Sequence, residues 1–453
     1  MPDKEQNNQS DFMIEKIKQR PINRRKLLRR TIITAAMAVI FGLIACVTFL
    51  VLEPRISNWL YPEEEPQTVV FPEDQEEMSP EDMLAVNLPT ESPDPEEDIP
   101  EEQDPEEQEE AVLTEEQIGD ILSRVVLDRD SYKELYTAMS AYVAELEQSV
   151  VTVTAVTSNI DWFSNVQENQ NQTSGVIITD NGRELLVLAD AELLRTAETI
   201  TVTFYNGTHA DAQIKQTDGY TDLAVLAIPL DSLPAGIDKE SLVYPPLGSS
   251  NSSRLPGTPV IAMGSPMGLS NSIGYGMITS SSYIYSVPDR NYKILQTDIG
   301  GSRNASGVLF SLSGQIVGII TDNKTGSDLE NVIYAYGITD LRRIMEKMSN
   351  ANDVAYLGIS GMDVTPEANQ ELGVPEGGFV TKVDMDSPAM LAGIRQGDVI
   401  TTVGGKEVSG FSEYTSALML FEPGQTINLI IMRQSQGEYK EMSFTMEVGE
   451  ARE

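Results

Sequence analysis

The sequence predicts a mainly β protein, a sandwich or barrel, carried behind one transmembrane helix. Between about residues 150 and 340, short runs rich in Val, Ile and Thr alternate with Gly, Asn and Asp turns, with no helical period between them. The run "TIITAAMAVIFGLIACVTFLVL", residues 31–52, carries no charge and at the helical rise spans roughly 33 Å, a bilayer core. With 453 residues, 40% of them hydrophobic, the chain has room for two or three domains with their own cores.

The segments follow in order. Residues 1–30 form a cytoplasmic basic tail, because "RPINRRKLLRR" holds six basic side chains and no acid just ahead of the apolar run. That run is too long for the apolar region of a signal peptide, and "EPRISNW" after it has no small-x-small cleavage pattern, so it reads as an anchor in the cell membrane. Everything beyond is then extracytoplasmic. Residues 53–112 read as an acidic, Pro-rich disordered linker: from Pro62 to Glu110 there are 21 Asp or Glu, nine Pro and no Lys or Arg. Fully extended, that stretch reaches on the order of 150 Å. Residues 113–148 keep apolar side chains at three- and four-residue spacing behind a T-x-x-Q capping signal, a helical segment. "SVVTVTAV" switches to the β pattern, and "DLRRIMEKM" closes the β region as a helix, bounding a domain at 149–348. A second domain follows at 354–449.

Charge and composition exclude several functions. A net charge of −39 argues against nucleic acid, which needs clustered Lys and Arg. One cysteine, Cys46, and one histidine, His209, leave no Cys/His metal cluster, and no ligand loop for a hard cation is visible, so neither metal nor other cofactor is expected.

Three stretches in sequence, "TDLAVLAI" (221–228), "VIAMGSPMGLSNSIGYGMITS" (260–280) and "QTDIGGSRNASGVLFSLSGQIVGI" (296–319), resemble the HtrA (Deg) family of trypsin-like serine proteases. "YLGI" followed by "GGFVTKVDMDSPAMLAGIRQGDVITTVGGKEV" resembles the PDZ domain that these proteases carry. The likeness covers about residues 145–449. It implies a chymotrypsin/trypsin-like double β-barrel plus a PDZ domain, an α+β partly open barrel. A homotrimer is implied by the resemblance alone.

The same resemblance locates the catalytic positions. The family triad runs His, Asp, Ser, and "LADAELL" at 188–194 puts Glu192 at the His position, while Asp222 stands at the Asp position. Two carboxylates about 4 Å apart at an effective dielectric near 20 repel by roughly 4 kcal/mol, so one must take a proton or the two must part. His209 lies well away from this match and reads as an exposed strand residue. In the loop that carries the nucleophile, matching from its C-terminal side puts Ala305 at the attacking position; matching from Asp298 puts Ser306 there. The oxyanion-hole stretch is then Arg303, Asn304, Ala305 and Ser306, with a side chain where the family has a glycine. A glutamate near its ordinary pKa is a weak base for a serine hydroxyl, and losing triad members typically costs about 10⁴ to 10⁶ in turnover. Lys293 and Lys324 are the candidates for a Ser-Lys arrangement, without a spacing argument for either.

In the PDZ part, the resemblance assigns Tyr356, Leu357, Gly358 and Ile359 to the loop that holds a peptide's terminal carboxylate, with Leu418 as a pocket wall. The function expected is a membrane-anchored protease homologue, catalytically impaired, that binds peptides or misfolded proteins through its cleft and C-terminal hydrophobic peptides at the PDZ groove. The alternative is an active HtrA-type serine endopeptidase in protein quality control using Ser306; a structural spacer needs neither groove.

Overall fold

The computed structural model describes residues 35–43, 66–72, 129–160 and 166–451, apart from 238, 240, 241, 253, 327, 328 and 330. Residues 35–43 are helical and exposed; the rest of the expected membrane span at 31–52 lies outside the described residues, as does most of the acidic linker. Among the described residues, no helix is long and apolar enough to cross a membrane.

Helix α1 (Arg129–Leu146) leads into two six-stranded barrels. The first is made of β1 (Val150–Ile160), β2 (Val166–Asp180), β3 (Glu184–Asp190), β4 (Thr199–Thr203), β5 (His209–Asp218) and β6 (Leu223–Pro229), closed in the order β1-β2-β3-β6-β5-β4. The second comprises β7 (Pro259–Ser265), β8 (Ser272–Val287), β9 (Arg290–Gly300), β10 (Ser306–Ser311), β11 (Ile316–Thr321) and β12 (Val332–Gly337), closed as β10-β11-β12-β9-β8-β7. Closure removes the exposed edges that six short strands would otherwise present. Local chemistry sets the hairpins. Between β2 and β3, the Asn181 side chain accepts from the Arg183 and Glu184 amides, and Gly182 takes the positive φ of 87° that the turn needs.

Each barrel has its own interior. Val153, Val187, Leu226 and Ile228 lie in the first, Ile278, Leu295, Leu309 and Ile320 in the second. A third apolar cluster takes Leu188 and Val225 from one barrel and Met263 and Val308 from the other, so the two are packed face to face. This is why β3 reads as a continuous apolar run rather than an alternation: its five central residues are buried on both faces. Helix α2 (Ile338–Ser349) adds Leu341, Ile344, Met345 and Met348, one apolar stripe at three- and four-residue spacing, to the same cluster.

The expectation of disorder throughout 53–112 is corrected at 66–72, which lies against the folded domain. "QTVVF" interrupts the acidic run with apolar residues, and Val69 is buried in the shared core. Its amide donates to Asn350 Oδ1 at 2.9 Å and its carbonyl accepts from Asn350 Nδ2 at 2.8 Å. Both backbone groups of a buried residue are thereby satisfied.

The C-terminal domain is built on a sheet ordered β14 (Ile359–Asp363), β15 (Gly378–Val383), β16 (Val399–Val403), β18 (Thr426–Ser435) and β19 (Glu438–Glu447), with the short β17 (Lys406–Glu407) beside β16. The pair β13 (Ala355–Tyr356) and β20 (Gly449–Glu450) ties its two ends together. Helix α3 (Phe411–Leu418) packs on it, burying Phe411, Tyr414, Ala417 and Leu418. β14 is the terminal strand of that sheet, so its outer edge faces whatever lies beside it.

Candidate active site and carboxylate cradle

Two places concentrate the residues singled out above. The first lies where β3 and β6 end. Asp190 closes β3, and its Oδ1 accepts from the Glu192 amide at 2.8 Å, holding the turn that follows. The Ala191 amide donates to the Asp222 carbonyl at 2.8 Å, which brings the residue before β6 alongside. Asp222 adopts φ 56°, a conformation that Asp tolerates better than most residues. Glu192 itself is exposed.

The Asp222 carboxylate has cationic neighbours from two directions. Arg195 Nη2 lies 3.1 Å from Oδ1, and Lys324 Nζ, carried by the loop after β11, lies 3.6 Å from Oδ2. Lys324 also pairs with Asp322 at 2.9 Å. Burial works against the charge on Lys324, but Asp322 and Asp222 outweigh it and hold the amine above the usual lysine range. A lysine held protonated is a poor general base. Asp190 is the carboxyl pushed up, to about 6: burial is the main cause, and the charges of Glu192, Asp222 and Asp322 add to it.

Ser306 opens β10, opposite Ser265 of β7. It is 7% exposed, and its Oγ accepts from the Ser174 amide at 3.0 Å, across the seam between the barrels. Ser306 and Asp190 line one small cavity, with Ser174 and Leu223, of about 10 Å³, the scale of a single water. Ala305 is partly buried against the second barrel's interior, while Arg303 and Asn304 are exposed. The Asn304 amide donates to Ser302 Oγ and the Ala305 amide to the Ser302 carbonyl, both at 3.2 Å, so these two N–H groups are turned into their own loop. Gly307 sits at φ 124°, where an added Cβ meets the Met263 carbonyl oxygen at 2.1 Å. The geometry thus brings Asp190, Glu192 and Asp222 to one end of the first barrel and Ser306 to the adjoining seam. His209 is exposed on β5 opposite Thr203, and Lys293 Nζ donates to the Ser250 carbonyl and Asn251 Oδ1 elsewhere on the second barrel.

The second place is the loop between β13 and β14. Gly358, at φ 82°, turns the backbone so that three successive amides point at one spot. Leu357 and Gly358 N–H both donate to Asp289 Oδ2 at 2.7 Å, and Ile359 N–H to Oδ1 at 3.1 Å. Tyr414 of α3 adds its hydroxyl to Oδ1 at 2.5 Å. Burial pushes the Asp289 carboxyl upward in pKa, and these four bonds oppose it. All four groups donate, so both oxygens act as acceptors, as an ionised carboxylate does. Tyr356 contributes differently, its hydroxyl donating to Asp384 at 3.3 Å. Leu357, Ile359 and Leu418 are buried in the domain core.

Sequence reasoning missed Asp190, Arg195 and Asp289. Asp190 was visible two residues before Glu192, yet nothing in the string marks its burial. The Pro-Asp pair of "VPDR" is a turn signal, which marks where the backbone reverses and says nothing of a ligand.

Residues 173–319 match the description "Trypsin-like peptidase domain" and residues 355–446 match "PDZ domain". HhoA of Synechocystis sp. is 32% identical over 254 residues, 52% of this chain and 61% of that protein. A protein of Halomonas elongata named "Probable periplasmic serine endoprotease DegP-like" is 28% identical over 287 residues, 62% of this chain and 57% of that one. This chain therefore spans less than two thirds of the length of either relative. A solved structure described as "HtrA-type protease AlgW with decapeptide" aligns with 69% of this chain and 98% of its own at 23% identity, with a TM-score of 0.48. Two closed six-stranded barrels with a PDZ domain behind them give this chain a trypsin-like peptidase domain and a PDZ domain, the pairing that makes it similar to serine proteases of the HtrA and DegP kind.

Proposed function

We propose that this chain is a membrane-anchored, extracytoplasmic HtrA homologue that has lost most or all peptidase activity and binds peptides or misfolded proteins. The observation that carries the reading is the occupation of Asp222. In a working triad that carboxylate orients an imidazole and stabilises its cation. Here Arg195 and Lys324 lie against it, and Glu192 stands at the position that the family gives to the base. The Ser306 hydroxyl lies buried in the seam, accepting from a backbone amide. Neither a lysine held above its usual pKa nor an exposed glutamate takes a proton from a serine efficiently near neutral pH.

The binding role rests on the second place. A loop of three convergent amides beside a terminal strand and a facing helix has the chemistry for an extended peptide with a terminal carboxylate. Anchoring through residues 31–52, with the N-terminus cytoplasmic, and assembly as a trimer belong to the same proposal; sedimentation of the detergent-solubilised chain tests the trimer.

The deciding experiment is labelling of the purified full-length protein with a fluorophosphonate. No labelling is expected. Labelling that disappears in Ser306→Ala overturns the inactive reading in favour of an active serine endopeptidase.

A further inference from the structure

The tip of the β8–β9 hairpin places a carboxylate of the protein's own in the cradle just described. Asp289 is 2% exposed, and its contacts go beyond the three amides and the tyrosine. Its backbone amide donates to the Ile359 carbonyl at 2.6 Å, and its carbonyl accepts from Thr415 Oγ1 of α3 at 2.8 Å. Two residues on, Asn291 Nδ2 donates to the Gly361 carbonyl at 3.0 Å. The hairpin tip therefore engages both walls of the groove, the open edge of β14 and helix α3. It supplies a negative charge to the amides and donors to the carbonyls of the edge strand, the pattern by which a peptide adds to a sheet.

The tip is also held in place from behind. Arg290 pairs with Asp218 of the first barrel at 2.8 Å, both side chains buried, and its guanidinium lies 5.1 Å from the Tyr220 ring centroid. Asp289 itself sits at φ 63°, a conformation that the tight turn imposes. Anchored in this way, the carboxylate is presented to the loop at little further entropic cost. Beyond Asn291 the groove widens into an open cleft of about 930 Å³, lined by Met362, Asp363, Ser412 and Ser416 on one side and Lys293 and Arg343 on the other.

We propose that Asp289 is an internal pseudo-ligand of the PDZ groove, and that a partner with a free C-terminal carboxylate binds only by displacing it. The proposal rests on the peptide-binding reading above and specifies its regulation. The intrinsic affinity of the groove is reduced by the fraction of molecules in which Asp289 is out, so the wild-type chain binds such partners weakly.

The test uses the full-length protein and fluorescein-labelled decapeptides ending in Val, Leu, Ile or Phe, each as free acid and as C-terminal amide, read by anisotropy. Asp289→Asn is the informative variant, since asparagine keeps the size and tolerates the positive φ while removing the charge. The expected result is that Asp289→Asn binds the free acids at least about tenfold more tightly than wild type, with no such gain for the amides. Equal binding of the acids by both proteins overturns the pseudo-ligand and leaves the peptide-binding reading standing. Binding by neither protein at about millimolar peptide overturns that reading and the proposal with it. Hydrogen exchange on the wild type supplies an arm free of mutational damage: saturating acid peptide is expected to raise exchange at residues 288–292. Bound peptide with unchanged exchange there also overturns the displacement.

Discussion

Arg290 and Asp218 form an ion pair of 2.8 Å between the two barrels, with side-chain exposures of 3% and 4%. Asp218 Oδ2 also accepts from the Thr221 amide and hydroxyl at 3.0 and 2.6 Å, one residue before Asp222. The pair thus fixes the β8–β9 hairpin at one end and the approach to β6 at the other.

Removing one partner leaves the other charge buried and unpaired. Arg290→Met is expected to destabilise the folded chain by about 3–5 kcal/mol, and Asp218→Leu added to it to recover most of that loss. Urea unfolding of both variants measures it; a single variant as stable as wild type removes the pair from the account.

Asp190 makes stability depend on pH. Its folded pKa of about 6 stands above the ordinary carboxylate value, so the folded state binds this proton more tightly than the unfolded chain. The stabilisation is present in full below about pH 4 and is lost as the pH rises through 6. Asp190→Asn, which keeps an acceptor for the Glu192 amide, is expected to gain up to about 3 kcal/mol relative to wild type at pH 8 and nothing at pH 4. A gain of the same size at both values rules out titration as its source.

Gly307→Ala forces a Cβ against the Met263 carbonyl at a φ that side chains rarely adopt. A loss of about 3 kcal/mol or more is expected. Thermal unfolding reads it out; a wild-type melting temperature shows that the seam between the barrels yields more easily than this contact allows.

Asn350→Ala removes both hydrogen bonds to Val69, at an expected cost of about 1–3 kcal/mol. Its clearest signature is faster hydrogen exchange at residues 66–72 while strands of the second barrel stay protected. Unchanged protection of Val69 means that its burial alone holds the segment.

The strand patterns and the turn residues made much of the folded part legible in the sequence. Strand patterns with Gly and Asn turns implied a sandwich or barrel, which the structure resolves as two barrels, and "YLGI" with its following segment identified the second domain. These signals are local: they report which side chains share a face and where the backbone must turn, and a string of residues carries that directly. What lies between elements far apart in the chain is not local. Asp289 and the amides of 357–359 are 68 to 70 residues apart, and Lys324 reaches Asp222 from the other barrel. No period or spacing encodes such meetings, because they follow from how whole barrels and sheets pack. The sequence set the carboxylate positions at 190, 192 and 222; docking decided which of them is half-buried, which is exposed and which meets a cation.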